Sequence, residues 1–554
     1  MSNRSDTPKK ILVAVAWPYA SGSRHLGHLA GAYLPPDVFS RYQRAAGNDV
    51  LMVSGSDVHG TPITVKADQD GVSPQEIVDR YHPEIVQNWE DLGIAYDLYT
   101  TTGTDTHREV AQAFFMKLLD NGYLYREVSE QFYDQEAERF LPDRYVEGTC
   151  PYCGFTHARG DQCDNCGRTL DPTDLIDPRS KLTGNVPVLR ETEHYVWKLS
   201  SFQEPLLEWL RTREGWRSHV INFAIGMVED GLHDRDFTRD LEWGIPLPVD
   251  DLGPGKSIYV WWEALMGYYS APQEWAKING KRDAWKDWWE DPEAESYYFI
   301  GKDNVPFHAV YWPALLMGHG GLNLPTDVPA NQFVNFGGEQ ASASRGIGRS
   351  IGWYLERFEP DALRYAVAIN FPETSDTEIT LDDLVRRVNE ELVATWGNLV
   401  NRVFAMTSQY FDGVVPPGAA PDDVDLRLLA DTDAALEEVA GLIGAIKLRA
   451  GLQRAMAGAQ SVNVYLNERA PWQTAASDLE RTGTTLNTAL NAIAGIAVAL
   501  YPYLPFTTTR LLPALGIEIG GHGPSWERPE VAAGTRLDPV GPLYAKMEPI
   551  DEEE

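Results

Sequence analysis

Near the N-terminus two short runs, "ILVAVAW" (11–17) and "VLMV" (50–53), are apolar at nearly every position. Continuous runs of this kind predict strands buried on both faces of a parallel sheet. Each ends in a polar, glycine-bearing cluster, "PYASGSRHLGH" and "SGSDVHG". Helical spacing follows each cluster and continues to about Asn121. Strand, helix, strand, helix predicts a doubly wound parallel sheet, whose ligands bind at the carboxyl ends of the strands. From 123 to 239 the pattern breaks into short extended pieces, turns and a cysteine cluster, as an inserted domain would. "LEWGIPLP" (241–248) is extended again. "SIYVWWEALMGYY" and "SYYFIGKDNVPFHAVYWPALLMG" then resume strand-then-helix alternation, so the insertion splits the sheet in sequence. From about Asp361, apolar residues recur at three- and four-residue spacing, which predicts a closing helical bundle.

The boundaries expected from this pattern are 1–120 and 241–330 for the two halves of the sheet domain and 121–240 for the insertion. A linker domain is expected over 331–388 and the bundle over 389–554. A chain of 554 residues is too long for one core, which agrees with several domains.

Composition narrows the class. At 43% hydrophobic and 23% charged residues the chain reads as soluble and globular. The start "MSNRSDTPKK" has no secretory pattern, and the longest apolar run, Ala492 to Leu500, is nine residues against the ~20 of a membrane span. The expectation is a cytoplasmic protein with no membrane partner. The net charge of −34 argues mildly against general nucleic-acid binding, although a local basic face remains compatible with it.

The four cysteines form Cys150-x2-Cys153-x9-Cys163-x2-Cys166. Two thiolate pairs at this spacing suit one tetrahedral zinc, with Gly154 and Gly167 allowing the tight turns. Two disulfides or four idle thiols are the alternatives. Four protein ligands make the predicted site structural. His25 and His28 lie three apart at a predicted helix start, where both can reach one anion beside the free N–H groups. Gly27 between them lets a ring or phosphate approach the backbone. Asp57, at a strand end, reads either as a helix N-cap or as a carboxylate for a substrate ammonium. "DLGPGKS" (251–257) resembles a phosphate loop, but Asp250 stands where the first glycine belongs and a strand is expected to follow. "FGGEQASASRGIGRS" (336–350) reads either as a linker or as a mobile phosphate-closing loop.

Together these stretches resemble the methionyl-tRNA synthetases, class I aminoacyl-tRNA synthetases, from Ile11 to about Trp472. "AWPYASGSRHLGH" resembles the His-Ile-Gly-His signature of the family. "GSDVHGTPI", "LPDRYVEGTCPYCG", "GDQCDNCG", "YVWWEALMGYY", "FIGKDNVPFHAVYWPA", "WGNLVNR" and "NERAPW" match further blocks in order. The resemblance implies an α/β fold: a split Rossmann-type doubly wound parallel sheet, an inserted zinc-knuckle domain and a C-terminal all-α anticodon-binding bundle.

It also implies methionine–tRNA ligase chemistry. Methionine is activated with ATP to methionyl-adenylate and passed to tRNA(Met), with positioning and charge stabilisation dominating. By resemblance His25 and His28 are catalytic and Gly27 faces the adenine. Asp57 takes the methionine ammonium. Ala16, Trp17, Tyr19, Trp261, Ala264, Tyr268 and His308 line the side-chain pocket, with Trp17 at its mouth. Leu265 and Glu263 depart from the usual residues nearby. Asn398, Arg402 and Trp472 match the positions that read the anticodon. "FGGEQASASRGIGRS" falls where the family carries its second ATP signature, so Gln340, Ser342, Ser344 and Arg345 are implied ATP contacts. Glutamine replaces the first lysine of that signature, and Arg345 or Arg349 is the candidate substitute charge. The implied cofactors are one structural Zn2+ per chain and Mg2+ with ATP. The implied partners are ATP, L-methionine and tRNA(Met). The family's optional C-terminal module is missing, which predicts a monomer. The alternative reading is a catalytically weakened paralogue that binds methionine or tRNA.

Overall fold

The computed structural model describes residues 8–336, 348–418 and 420–550, together with the backbone of 339–340. Lys10–Val15 pairs in parallel with Asp49–Ser56 on one side and Glu295–Gly301 on the other. Leu98–Thr101 and Ala330–Asn331 complete a five-stranded parallel sheet at its two edges. Ile11 to Val15 are buried throughout, as their unbroken apolar run requires. The order of the strands reverses between Lys10–Val15 and Glu295–Gly301. The crevice beyond their carboxyl ends is the switch point at which doubly wound sheets bind ligands.

Two elements differ from expectation. Leu98–Thr101 lay within the stretch read as helical. It is a four-residue edge strand, too short and too half-buried to leave a period. "SIYV" contributes only Ser257–Ile258, which pair antiparallel with Thr238–Arg239 outside the parallel sheet. The apolar run continues as the helix Val260–Ile278, buried on most of its surface, where helix and strand look alike in sequence.

Between the halves of the sheet, Leu124–Asp134 and Val188–Trp197 form a long antiparallel pair flanked by Arg139–Phe140 and Arg235–Asp236. A smaller sheet, centred on Val146–Thr149, carries the cysteines. The helices Gln203–Arg211 and Ser218–Glu229 then lead back toward the main sheet.

The C-terminal part packs Asn398–Phe411, Asp423–Gly444, Leu448–Arg469 and Leu479–Leu500 side by side. Leu479–Leu500 contains the nine-residue apolar run and, among the described residues, is the one helix long and apolar enough to cross a membrane. Its most apolar window is 94% buried inside the fold. The hydroxyls of Thr482, Thr484, Thr485 and Thr488 donate to carbonyls one turn earlier, so this helix is the bundle core. Residues 515–550 contain no helix or strand and lie back over the molecule. The Trp526 amide donates to the Ala45 carbonyl at 2.9 Å, and Asn389 exchanges two hydrogen bonds with the Met547 backbone at 2.8 Å. The buried Arg364 locks the parts together through Asp37 (2.6 Å) and the carbonyls of Leu92, Pro502 and Tyr503.

Candidate functional site

His25 ends the loop that leaves Lys10–Val15 and precedes the helical turn Leu26–His28. The helix continues through the π-helical segment Leu29–Tyr33 into Leu34–Ala45. The two imidazoles lie against each other, tilted by 31°, with centroids 3.8 Å apart. The His25 amide donates to His28 Nδ1 (3.3 Å), which leaves the proton of a neutral His28 on Nε2. Neither ring nitrogen of the buried His25 has a hydrogen-bond partner. Burial, aided by Arg24, pushes the His25 pKa down to about 3. Burial, then His25 and Arg24, holds His28 well below the usual imidazole range. At neutral pH both rings are therefore neutral hydrogen-bond donors rather than cations. Gly27 is half-buried in the same turn.

A set of aromatic residues packs together on the helix Val260–Ile278. Trp261, Ala264 and Tyr268 share one face of the helix Val260–Ile278, at helical spacing. Trp261 stacks on Phe307 (3.9 Å) and meets Tyr19 edge-on (6.2 Å). His308 lies in a second π-helical segment, Phe307–Tyr311, where its Nδ1–H donates to the Asn304 carbonyl (2.9 Å). Its Nε2 consequently accepts from the Tyr268 hydroxyl at 2.7 Å. Burial lowers the His308 pKa to about 4, so this pair is neutral at neutral pH. Ala16 continues the first strand, its amide bonded to the Phe299 carbonyl (3.1 Å). The Trp17 ring is wedged between Gly55 and Gly267 against Tyr268.

Asp57 closes the same crevice. Its carboxylate is buried and accepts from the His59 amide (3.1 Å) and the Thr102 hydroxyl (3.3 Å). The helix Thr61–Asp70 has Gly60, not Asp57, as its N-cap, which removes the capping reading. Burial, and then Glu263, raises the Asp57 pKa well above the usual carboxylate range.

The second signature segment is described only at its two ends. The backbone of Glu339–Gln340 pairs antiparallel with Asn335 and Phe336. Ser342, Ser344 and Arg345 lie outside the described residues. At the exit Ser350 forms a bridge to His25, and the Ile351 amide donates to the Arg24 carbonyl (2.8 Å). The segment therefore ends against the first histidine. Arg349 lies over the Trp353 ring at 5.5 Å.

The four cysteines hold their sulfurs within 4.8 Å of one another, with Cys150–Cys166 at 4.0 Å and Cys153–Cys163 at 3.6 Å. These are not disulfide distances. A tetrahedron with Zn–S bonds of ~2.3 Å has sulfur–sulfur edges of about 3.8 Å, which this set fits. The knuckle turns close through the Gly154 and Gly167 amides onto the Cys150 and Cys163 carbonyls, and both glycines adopt positive φ. The hydrogen bond from Asn165 and the Phe155 backbone lower the Cys153 pKa to about 6, readying a thiolate.

In the bundle a third π-helical segment, Val388–Gly397, precedes Asn398. Asn398 and Arg402 sit one turn apart, and the Arg402 guanidinium lies 6.0 Å from the Trp472 ring. Asn463 accepts from Arg402 at 3.0 Å. Ala470, in the left-handed conformation, and Pro471 turn the chain so that Trp472 stands 42% exposed. All three residues thus share one surface.

The sequence reading missed an ionic platform contributed by the insertion. Arg239 lies 3.9 Å over the Tyr259 ring and pairs with Asp143 (3.3 Å), while Arg144 lies over Tyr19 and pairs with Asp161. Burial pushes the Asp143 pKa up to about 6 despite Arg239. Asp143, Tyr259 and Asp236 outweigh the burial that works against Arg239 and keep it charged. Isolated charges in "PDRY" and "TRDLEWG" give no period or spacing by which to find them.

Comparison with known proteins agrees with this geometry. Residues 11–404 match the family described as tRNA synthetases class I (M), and 415–551 match the anticodon binding domain of methionyl tRNA ligase. The chain is similar to the methionine–tRNA ligase of Roseiflexus sp. (strain RS-1), 51% identical over 517 residues, covering 92% of this chain and 87% of the relative. It is 47% identical over 571 residues to that of Thermomicrobium roseum, covering 98% and 97%. It also shares its fold with the crystal structure of Mycobacterium tuberculosis methionyl-tRNA synthetase bound by methionyl-adenylate. That match has a TM-score of 0.80 at 24% identity and covers 97% and 100% of the two chains. A parallel sheet split by a four-cysteine insertion, two adjoining histidines at its switch point and a family match over most of the chain lead to one conclusion: the chain belongs to the methionyl branch of the class I tRNA synthetases.

Proposed function

We propose that the protein is a methionine–tRNA ligase. A methionine carboxylate oxygen attacks the α-phosphorus of ATP, pyrophosphate leaves, and methionyl-adenylate forms. A terminal ribose hydroxyl of tRNA(Met) then attacks the methionyl carbonyl and AMP leaves. The observation that carries this reading is the convergence at one switch point of the Asp57 carboxylate, the Trp261–Tyr268–His308 pocket and the His25–His28 pair.

In this reading Asp57 holds the ammonium, and the neutral Tyr268–His308 pair faces the thioether in an apolar wall suited to a polarizable group. Ala16, Trp17, Tyr19, Trp261 and Ala264 complete that wall. Neutral His25 and His28 donate to the phosphates as charge develops, and Gly27 leaves space for the adenine. Gln340, Ser342, Ser344 and Arg345 belong to the ATP loop, and Arg345 or Arg349 replaces the lysine charge that Gln340 lacks. Asn398, Arg402 and Trp472 read the anticodon by stacking and edge hydrogen bonds. Cys150, Cys153, Cys163 and Cys166 hold one zinc, which supplies a structural cross-link to the insertion. Mg2+ accompanies ATP. A monomer, and the domain boundaries 1–120, 121–240, 241–330, 331–388 and 389–554, remain part of the proposal.

The test is methionylation of a tRNA(Met) transcript. The reading predicts charging that is lost when the CAU anticodon is replaced. Equal charging of both transcripts contradicts the anticodon roles, and charging of neither contradicts the ligase. A rate unchanged in both the Arg345→Ala and Arg349→Ala variants contradicts the substitute-charge role.

A further inference from the structure

Beneath Asp57 lies a set of buried titratable groups that the reaction as described does not use. The His59 amide donates to Asp57, and His59 Nδ1 meets Glu263 Oε1 at 2.8 Å. The other oxygen of Glu263 faces His107 Nε2 at 3.8 Å, and neither of these two atoms has a hydrogen-bond partner. His107 Nδ1 lies 2.8 Å from the Ser270 hydroxyl, which itself donates to the Gly267 carbonyl. The hydroxyl therefore accepts from Nδ1–H, and a neutral His107 would turn a bare lone pair toward Glu263. Glu263 and His107 are both fully buried, and Asp57 is 2% exposed. Among the described residues, no lysine or arginine pairs with either carboxylate.

We propose that Asp57, His59, Glu263 and His107 share their protons as one unit, so that seating an amino-acid ammonium beside Asp57 expels a proton to solvent. The proposal rests on the reading that Asp57 takes the ammonium. Two carboxylates this deeply buried resist being charged together, so the empty site retains a proton that one of them would otherwise release. An arriving ammonium keeps its own protons and favours the ionised carboxylate, and the unit gives up the surplus proton. Charge directions agree: burial and Glu263 raise Asp57, Glu263 outweighs burial to raise His59, and the two histidines outweigh burial to lower Glu263, so the retained proton belongs to Asp57.

Charges on the surrounding elements are already matched. Asp143 and Arg239, from the insertion, pair across the small cavity that His59 and Glu263 also line. Arg144 pairs with Asp161 above Tyr19, whose buried phenol remains protonated near Asp57. Glu274, further along the helix of Glu263, is bonded to Thr100 and Thr104.

The test is titration calorimetry of methionine into the full chain at pH 7, in buffers of low and high ionisation enthalpy. The proposal predicts a heat that depends on the buffer with the sign of proton release. It also predicts an affinity that rises with pH, by at most about tenfold per unit. Glu263→Gln should reduce the buffer dependence, and Glu263→Asp should retain it. A wild-type heat that is the same in all buffers overturns the proposal, as does an unchanged dependence in Glu263→Gln. Asp57→Asn separates the two levels. If it binds methionine like the wild type, the ammonium reading falls. If it loses methionine while the wild-type heat ignores the buffer, only the proton-sharing unit falls.

Discussion

The slot that holds Trp17 gives a prediction with a magnitude. A Cβ added at Gly267 would lie 2.7 Å from Trp17 Cε2 and 2.8 Å from Cζ2. The indole cannot retreat, because a Cβ at Gly55 on its far side would already lie 2.2 Å from Cζ3. Tyr268 and His107 also lie against it, so a displaced ring presses on the proposed methionine pocket. Overpacking of this kind costs about 1–3 kcal/mol, and alanine for glycine inside a helix offsets about 0.5–1 kcal/mol of it. If the remaining ~1–2 kcal/mol falls on the pocket, Gly267→Ala should raise the KM for methionine by about 5- to 30-fold at 1.36 kcal/mol per decade. The KM for ATP should change little. The assay is methionine-dependent pyrophosphate exchange, repeated in a Trp17→Leu background, where the smaller side chain leaves room for the new methyl. There the added effect of Gly267→Ala should shrink to within about threefold, a coupling that a double-mutant cycle measures directly. An unchanged KM in Gly267→Ala, or an equal increase in both backgrounds, refutes the slot argument.

Trp472→Ala should raise the KM for tRNA by about 5- to 150-fold, from a stacking contribution of ~1–3 kcal/mol per base, and leave pyrophosphate exchange unchanged. Metal analysis should find one zinc per chain, and Cys163→Ser or a strong chelator should remove it together with the order of the insertion, read by proteolysis. His25 folds with a pKa of about 3 against an ordinary 6.5, so the unfolded chain binds more protons between those values. The native state should therefore lose stability as pH falls through that window, with a shallower slope in His25→Asn. A slope identical in the two proteins contradicts the burial of a neutral ring.

Much of this organisation was legible in the sequence. Ile11–Val15 and Val50–Val53 announce buried parallel strands because both of their faces are covered. The cysteine spacing announces a metal site because few other arrangements bring four sulfurs together. His25 and Asp57 stand out by their place just after the buried strands, whereas Trp261 was singled out only through ordered blocks of resemblance. Leu98–Thr101 was hidden because an edge strand needs no unbroken apolar run, and "SIYV" reads as a longer strand of the main sheet because the buried helix after Ser257–Ile258 mimics one. The Asp57–His59–Glu263–His107 set was invisible because it joins three distant segments. Glu263 registered only as a departure from the usual residue, whereas in the fold it is fully buried and faces two histidines. The return of 515–550 across the molecule depends on single anchors such as Trp526, which carry no pattern of their own.

The central claim is that the crevice between Lys10–Val15 and Glu295–Gly301 activates methionine. Its most direct test is pyrophosphate exchange by the wild-type protein with ATP and Mg2+. The account predicts exchange that saturates with methionine and stays at background with valine, isoleucine or leucine. Exchange that does not rise above background with methionine would contradict it.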